Sequence, residues 1–273
     1  MAISAHSPHP MLDPAAVRAA VAAHMAESHH RLGGHTMALG PLVLYSHPTF
    51  GWTFFNTARL VHPMTYAEGE RLLPVVEDYF RSRGVHPAWE MLASLAPPHL
   101  DDHLRLAGYT LDSHESLMAC PLDGDRPART AFRPTPWEVY PIEAADVDVF
   151  LETWRAAYNV DVSTDPTPVR RLFLRDLAVG WRLWCAGRGR TTVGTLAAIS
   201  IDGVVEIANV GTLPAARRQG VASQLVAHCL AEARRQGDHL AYLCADVNSS
   251  AARLYARQGF TAVDTLSAYS QEF

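Results

Sequence analysis

The chain has 273 residues, which exceeds the roughly 100–200 residues of one compact domain and favours two domains. Hydrophobic residues make up 48% of the chain and charged residues 19%, which excludes a disordered protein. The formal net charge of −5 and the scattered arginines argue against a nucleic-acid partner. The first residues contain no basic segment followed by an apolar run, and no stretch of about 18 apolar residues occurs. We therefore expect a cytoplasmic protein without a membrane segment.

The cysteines and histidines do not form a metal-binding pattern. The four cysteines are far apart, with no pair at CxxC spacing, and are expected to be reduced, buried thiols: Cys120, Cys185, Cys229 and Cys244. The 14 histidines lack carboxylate or cysteine neighbours at regular spacing, which favours structural or surface roles. We therefore predict no metal site.

The first part of the chain, residues 1–125, carries few motifs. A helix is predicted from about Thr65 to Arg83, after the segment ARLVHPM. The segment 46–56, SHPTFGWTFFN, interleaves aromatic and polar residues. This pattern is typical of core strands, and it also suits the wall of a binding cleft.

Residues 121–136 read PLDGDRPARTAFRPTP and are dense in proline, aspartate and glycine. Such a composition without an apolar period is typical of a linker. We place a linker at 126–136, between a first domain at 1–125 and a second at 137–273.

The second domain is predicted to begin with a strand at 137–142 and a helix, in which Val147, Phe150, Leu151 and Trp154 recur at helical spacing. Three apolar or β-branched runs follow at 181–188, 192–201 and 204–213. Because glycine-containing turns separate them, we predict an antiparallel meander.

An amphipathic helix is predicted from Gly220 to Gln236, because Val221, Leu225, Val226, Cys229, Leu230 and Ala233 follow the i, i+3, i+4 pattern. Gly237 ends this helix, and a strand at 240–247 follows. A second helix at 249–258 is ended by Gly259.

The segment 208–226, ANVGTLPAARRQGVASQLV, predicts a phosphate site. The amide groups in the first turn of the helix at Gly220 have no intrahelical partner and lie at the positive end of the helix dipole. Together with the guanidinium groups of Arg217 and Arg218 they can bind a pyrophosphate. Gly220 and the small Ala222 allow phosphate oxygens to approach the backbone closely.

The motif Arg217-x-x-Gly220-x-Ala222 resembles the Q/R-x-x-G-x-G/A signature of the GNAT acetyltransferases. It differs from the dinucleotide fingerprint, because no G-x-G-x-x-G follows a strand. The resemblance implies that the loop and the first helical turn bind the pyrophosphate of acetyl-CoA, and that the preceding strand holds the pantetheine arm through its backbone. The residues so implied are Arg217, Arg218, Gln219, Gly220, Val221, Ala222 and Ser223 for the pyrophosphate, and Val210, Gly211 and Thr212 for the pantetheine arm.

Downstream, the residues from Asn248 to Phe260 resemble the N-x-x-A-x-x-x-Y-x-x-x-G-F stretch of the same superfamily. The resemblance implies that Asn248 binds the pantetheine arm and that the Tyr255 hydroxyl lies near the cofactor sulfur. A proton donor is required there, because a thiolate leaves more easily when it is protonated. The alternatives are a core aromatic residue for Tyr255 and a helix cap for Asn248.

Direct acetyl transfer requires a neutral amine, because an ammonium group has no lone pair for attack on the thioester. Glu206 is the candidate base: it lies eleven residues before Arg217, an offset that resembles the base of some GNAT enzymes. The alternative is a solvated carboxylate near a turn. Asn209, in the same strand, either points into the cleft or is a satisfied buried amide.

The two halves share two short, weakly similar segments, which favour an internal duplication. GVHPAW at 84–89 resembles GDHLAY at 237–242, and AGYT at 107–110 resembles QGFT at 258–261. The first half has no Arg-x-x-Gly-x-Ala before its helix, and Leu104 occupies the position that corresponds to Tyr255. We therefore expect a degenerate half that packs against the catalytic half and forms a wall of the acceptor cleft.

We accordingly expect an α/β (α+β) protein of two GNAT-like domains, each with a mixed central sheet flanked by helices. The expected activity is direct transfer of an acetyl group from acetyl-CoA to the primary amine of a small molecule or peptide. Two alternatives remain: a non-catalytic acyl-CoA sensor, and a self-resistance enzyme that acetylates an antibiotic. We expect a monomer or a weak homodimer without a nucleic-acid or membrane partner.

Overall fold

The computed structural model describes residues 12–122, 136–189 and 191–272. Most of the predicted linker, residues 126–135, lies outside the described residues. The helices and strands of the first half are α1 (Pro14–Arg31), β1 (His35–Leu39), β2 (Leu42–Ser46), β3 (Thr57–Leu60), α2 (Tyr66–Arg81), β4 (Ala88–Leu92), α3 (Leu100–Leu106) and β5 (Thr110–Pro121). Those of the second half are β6 (Glu138–Ile142), α4 (Val147–Tyr158), α5 (Thr167–Ala178), β7 (Arg182–Arg188), β8 (Thr191–Ile201), β9 (Val204–Thr212), α6 (Val221–Gln236), β10 (Leu240–Asp246), α7 (Ser250–Arg257) and β11 (Thr261–Ser270).

The strands of the described residues form one 11-stranded sheet in the order β1-β2-β3-β4-β11-β5-β10-β9-β8-β7-β6. The pairs β3–β4 and β9–β10 are parallel, and the other neighbours are antiparallel. The mixed α/β architecture predicted from the sequence is therefore confirmed, and the meander β7-β8-β9 has the predicted antiparallel pairing.

The last strand of each half lies beside strands of the other half. The C-terminal strand β11 pairs with β4 and β5 of the first half, and Leu266 lies opposite Leu92. In turn, β5 pairs with β10 of the second half, and Leu117 lies opposite Cys244. Strands of the two halves are thus hydrogen-bonded to one another within one sheet. The domain division at 126–136 stays a prediction.

The short similar segments of the two halves occupy equivalent places in the fold. Gly84 precedes the parallel strand β4 and Gly237 precedes β10, while Gly108 and Gly259 precede the final strands β5 and β11. From β1 and from β7 onward, the two halves run through the same series: three antiparallel strands, a helix, a parallel strand, a short helix and a last strand. The elements before this series differ, being α1 in the first half and β6, α4 and α5 in the second. This shared order supports an internal duplication.

Helices cover both faces of the sheet. The face with α2, α3, α6 and α7 contains two apolar clusters, and α6 buries all six of its predicted core positions there. Each of the valine and leucine side chains among them contributes about 1.5–3 kcal/mol by leaving water. The opposite face is covered by α4, α5 and α1, and α1 crosses β8, β9, β11 and β1, so that it touches strands of both halves.

The aromatic segment 46–56 is a packing element and not a strand over its whole length. Phe50 and Phe55 are buried with Leu32, and this cluster packs on Leu172 and Val179 at α5. A 3₁₀ turn spans Thr53–Phe55. The segment therefore joins the two halves on the α1 face, in agreement with a core role.

The cysteines are mostly buried, as expected. Cys120, Cys185 and Cys229 are buried and Cys244 is half-buried. In the described part of the chain, no helix is long and apolar enough to cross a bilayer.

Candidate functional site

The loop between β9 and α6 leaves the start of α6 open. After Thr212 the chain makes a 3₁₀ turn at Pro214–Ala216 and reaches Gly220, the residue that precedes the helix. Gly220 has a φ of 86°, a left-handed conformation that costs a residue with a side chain about 1–2 kcal/mol. No side chain caps the helix at this point.

A row of amide groups at this loop has no acceptor. None of the backbone N–H groups of residues 218–223 donates a hydrogen bond to another group in the described part of the chain. The helix dipole adds the equivalent of about half a positive charge at the same place. Unpartnered donors and a positive potential together make an anion-binding site.

Hydrogen bonds from neighbouring elements hold the loop in this shape. Trp137 Nε1 donates to the Gln219 carbonyl at 3.1 Å, and Gln224 Nε2 donates to the Trp137 carbonyl at 2.5 Å. Arg217 donates to the carbonyls of Thr212 at 3.2 Å and Ala157 at 3.1 Å. The Arg217 guanidinium thus ties the loop to α4 as well as adding positive charge.

Two other predicted residues of the loop are placed for contact with a ligand. Arg218 is exposed, with a φ of 64°, and forms no ion pair within the described residues. Ser223, in the first turn of α6, is half-buried, and its carbonyl accepts a hydrogen bond from Gln258 Nε2 at 2.7 Å. The structure brings both together with Gly220, Val221 and Ala222.

The corresponding helix of the first half is closed. Thr65 precedes α2, and its hydroxyl accepts a hydrogen bond from the Glu68 amide at 3.3 Å. The Glu68 carboxylate accepts in return from the Thr65 amide and hydroxyl, both at 2.8 Å. This capping box satisfies donors and places a negative charge where a phosphate would lie. The start of α2 is thus closed to an anion, and the sequence before it also lacks the Arg-x-x-Gly-x-Ala motif.

A bulge interrupts β9 just before the loop. Asn209 has a φ of 54°, and the register with β8 shifts between the Thr195–Gly211 and Ala197–Ala208 pairs. Asn209 is half-buried, and its Oδ1 accepts from Trp154 Nε1 at 3.1 Å, so its side-chain oxygen is bonded within the protein. The bulge turns the backbone of the next residues relative to the rest of the strand.

The sheet is split between β9 and β10. Their parallel ladder contains three pairs and ends where Glu206 lies opposite Tyr242. Beyond this point β9 remains paired with β8, and β10 with β5, but the two strands form no ladder with each other. Val210, Gly211 and Thr212 therefore lie beside an open strand edge, whose polar groups can bond an extended chain.

Tyr255 lies on α7 next to this split. Its side chain is buried and its ring packs edge-on against Phe260, with the centroids 6.0 Å apart. Burial, and secondly the neighbouring Tyr158, raise the pKa of the Tyr255 phenol above its usual value, so the phenol is protonated at neutral pH. The hydroxyl has no hydrogen-bond partner among the described residues and is available to a ligand. The core-aromatic alternative holds for its ring and leaves the hydroxyl unexplained.

Glu206 lies at the closed end of the split, on the α1 face. It is half-buried and accepts a hydrogen bond from the Tyr242 hydroxyl at 3.0 Å, and His24 Nδ1 lies 3.7 Å from the same carboxylate oxygen. The alternative of a solvated carboxylate near a turn is therefore wrong. Burial and the Glu206 charge raise the pKa of Asp176 on α5 to about 8.

Asn248 is exposed and has a φ of 61°. The residue that caps α7 is Ser249, which accepts from the Ala252 amide at 3.0 Å, so the cap alternative for Asn248 is wrong. The Asn248 carbonyl accepts from Arg253 at 2.6 Å. Its side-chain amide makes no hydrogen bond within the described residues and stays a predicted pantetheine contact.

Sequence reasoning missed four residues of this region: His24, Trp137, Asp176 and Tyr242. Tyr242 belongs to the apolar run 240–247, which predicted a strand but gave no sign of its hydroxyl partners. Asp176 interrupts the apolar face of α5, and a carboxylate at a core position of a helix was the available signal. His24 is distant in sequence from Glu206, and no local pattern joins them.

Comparisons with known proteins agree with this geometry. Residues 147–260 match the model of the family described as "Acetyltransferase (GNAT) family". No curated protein matches the chain. The match includes both motifs of the second half and leaves out the strands β6 and β11.

Three solved structures show the same fold over most of the chain. A GCN5-related N-acetyltransferase from Kribbella flavida is 24% identical, with a TM-score of 0.70, covering 96% of this chain and 97% of that chain. One from Sphaerobacter thermophilus is 19% identical, with a TM-score of 0.62 and coverages of 94% and 93%. A tandem GNAT protein from the clavulanic acid biosynthesis pathway is 14% identical, with a TM-score of 0.55 and coverages of 79% and 75%. These structures show the fold, and the family model matches the part of the chain that carries the two motifs.

Proposed function

We propose that this chain, whose residues 147–260 form a domain of the GNAT acetyltransferase family, transfers an acetyl group from acetyl-CoA to a primary amine of a small molecule or peptide. One observation carries the proposal: the unpartnered amides at the start of α6 open onto the split between β9 and β10, which ends at Glu206.

The residues around α6 fit the pyrophosphate of coenzyme A. The amide groups of residues 218–223 supply donors without an internal acceptor, and the exposed guanidinium of Arg218 supplies charge. Gly220 has no side chain to obstruct the approach of an oxygen to these amides. Val210, Gly211, Thr212 and Asn248 would hold the pantetheine arm along the split.

Two side chains of the split suit the proton transfers of an acetylation. Acetyl-CoA supplies an activated acetyl thioester. Tyr255 keeps its proton at neutral pH and can donate it to a leaving thiolate. Glu206 can accept the proton that the amine must lose before it attacks. The two residues thus have opposite roles, as donor and acceptor.

The cysteines favour direct transfer over a covalent acyl-enzyme. Burial raises the pKa of the Cys185 and Cys229 thiols to about 12, and it also raises the pKa of Cys244. A thiol that stays protonated is a weak nucleophile, so these side chains do not suit acyl transfer through sulfur. These thiols therefore support the proposal of direct transfer within a ternary complex of enzyme, acetyl-CoA and amine.

The charge around the closed end of the split suits a cationic acceptor. Glu206, Glu115 on β5 and Asp176 on α5 bring carboxyl groups to this region of the α1 face. Burial and nearby carboxylates raise the pKa of Glu115, which is typical of acidic groups that share a confined space. An amine is protonated in water, and the Glu206 carboxylate would attract it before it is deprotonated. Asp176, whose pKa is raised to about 8, carries its proton at neutral pH and adds a polar group without a full negative charge.

The proposal is tested by measuring release of free thiol from acetyl-CoA in the presence of single amines: polyamines, peptides with a free α-amine, and aminoglycosides. Mass spectrometry of the acceptor should show one added acetyl group, and Glu206→Gln should lower kcat by a factor of about 10². Glu70→Gln, exposed on α2, is the matched control.

Binding of acetyl-CoA without turnover on any amine would contradict the proposal and favour a sensor. Turnover confined to an aminoglycoside would instead support the self-resistance alternative within the enzyme class.

A further inference from the structure

Three side chains from distant parts of the sequence form one hydrogen-bonded chain. The Tyr242 hydroxyl lies 3.0 Å from Glu206 Oε2 and 2.9 Å from His24 Nδ1. On its other side the His24 ring places Nε2 at 3.3 Å from the Ile199 carbonyl oxygen. Since His24 belongs to α1, this chain links the first half of the protein to the candidate base.

The number of protons in this chain follows from the chemistry of its members. The Ile199 carbonyl can only accept, so His24 Nε2 carries a hydrogen. Burial lowers the pKa of His24, which leaves the ring neutral at neutral pH with a lone pair on Nδ1. Tyr242 then has a single hydrogen between two acceptors, the Glu206 carboxylate and His24 Nδ1. The contacts of the Tyr242 hydroxyl with Glu206 and with His24 therefore share one proton.

With one additional proton, each hydrogen-bond contact of the chain would contain its own hydrogen. If Glu206 gains a proton, its hydroxyl can donate to Tyr242, and Tyr242 can donate to His24 Nδ1. If the same proton moves onward, His24 becomes an imidazolium and Tyr242 again donates to Glu206. In both arrangements every contact contains one hydrogen. The chain is therefore built to hold a proton that it lacks at rest.

We infer that His24 and Tyr242 extend the base of the acetyl-transfer site, so that the proton released by the acceptor amine is shared along Glu206, Tyr242 and His24. This inference rests on the proposed function. In the step, the N–H bond of the amine breaks and an O–H bond forms at Glu206. The Tyr242 proton shifts to His24 Nδ1 as Tyr242 takes the Glu206 proton, and the nitrogen keeps the electron pair that forms the amide. No other reactant is needed.

The surroundings of the chain are consistent with a transient positive charge on His24. Glu206 faces the ring from β9 and Asp202 from the turn before it, and both favour the imidazolium. Arg31, on α1 itself, opposes it. Asp176 of α5 interacts with Glu206, and Cys244 of β10 and Arg59 of β3 interact with Tyr242. The acidic groups beside His24 thus offset part of the cost of burying its charge, although burial still keeps the pKa of His24 below its usual value.

Steady-state kinetics of the full-length protein test the inference with the best acceptor from the amine screen. Tyr242→Phe removes the connecting hydroxyl, and His24→Gln keeps a donor for Ile199 but removes the Nδ1 acceptor. Each is expected to lower kcat about tenfold, a part of the 10²–10⁴ that general acid–base catalysis provides, without changing the KM for acetyl-CoA. Tyr140→Phe and the exposed His30→Gln are the matched controls, since both lie away from the split.

The double variant and the pH profile separate a relay from a structural role. Because His24 acts through Tyr242, the His24→Gln/Tyr242→Phe pair should lose no more than Tyr242→Phe alone. The acidic limb of the kcat/KM profile should also move in both single variants, because the apparent pKa belongs to the coupled groups.

Losses that multiply in the double variant, or single variants with the kcat and pH profile of the unaltered protein, would overturn the relay while leaving acetyl transfer intact. An unaltered protein that acetylates no amine would instead overturn the proposed function. Thermal unfolding of each variant verifies that the fold is retained.

Discussion

Thr65 and Gly220 occupy equivalent positions in the two halves, each as the residue that precedes the helix after a three-stranded antiparallel meander, β1-β2-β3 or β7-β8-β9. Thr65 closes its helix with a hydroxyl and is itself bonded by Glu68, whereas Gly220 leaves six consecutive amide groups, those of residues 218–223, without an acceptor. The same architecture thus provides an anion site in one half and excludes it from the other. The difference lies in local chemistry and not in the fold.

Gly220 and Gly237 allow a matched test of this site, because they flank the two ends of α6 with φ values of 86° and 85°. Replacing either by glutamate imposes similar backbone strain of about 1–2 kcal/mol. We expect Gly220→Glu to abolish the rise in melting temperature that acetyl-CoA produces, and Gly237→Glu to retain it. Differential scanning fluorimetry with and without acetyl-CoA measures both. An equal response in the two variants would count against the phosphate loop.

The Tyr255 hydroxyl should matter for turnover and not for binding. Tyr255→Phe keeps the buried ring against Phe260 and removes the proton donor, so kcat should fall by a factor of about 10–10² while the KM for acetyl-CoA stays nearly constant. Thiol-release kinetics measure both constants. A rise in the KM for acetyl-CoA with an unchanged kcat would instead assign Tyr255 to cofactor binding. Tyr140→Phe controls for the loss of a hydroxyl elsewhere.

Asp176 should make stability depend on pH. Its pKa is raised to about 8 in the folded protein by burial and by Glu206, against 3.8 in the unfolded chain. Between these values the folded state binds more protons, so the free energy of unfolding should fall as pH rises from about 4 to 8. Asp176→Asn should remove this decline and be more stable by on the order of 3 kcal/mol at pH 8.

Urea unfolding at pH 5 and pH 8 tests this effect, with the exposed Asp101→Asn as a control. A constant difference between Asp176→Asn and the unaltered protein at the two pH values would contradict a buried, protonated carboxyl group at this position.

Elements with a strong local pattern were predictable from the sequence. The six apolar positions of α6 determined its buried face, and Gly237 determined its end. The helix expected at about 65–83 is α2, at Tyr66–Arg81. The open phosphate loop followed from Gly220 and the helix start, because its physics is local to a few residues.

Elements that depend on distant partners were not predictable in this way. The strand β11 inserts between β4 and β5, and no feature of residues 261–270 indicates which strands it will join. The helix α5 was also missed, although Val169 and Phe173 recur at helical spacing. The contact of His24 with Tyr242 joins residues far apart in the chain, and only the crossing of α1 over both halves brings them together.

The exchanged strands predict that the two halves unfold together. β11 is hydrogen-bonded to β4 and β5, and β5 to β10, so neither half can lose its last strand without exposing the other. Hydrogen exchange followed by mass spectrometry at increasing urea should show peptides of β4 and β8 losing protection at the same concentration. Loss of protection in β4 well before β8 would show two independent units.

A crystal structure of the protein with coenzyme A tests the central claim most directly. We expect the diphosphate oxygens within hydrogen-bonding distance of the backbone nitrogens of residues 218–223, one coenzyme A per chain, and the sulfur beside the Tyr255 hydroxyl. A diphosphate located elsewhere, with the start of α6 filled by the protein's own side chains, would contradict the account.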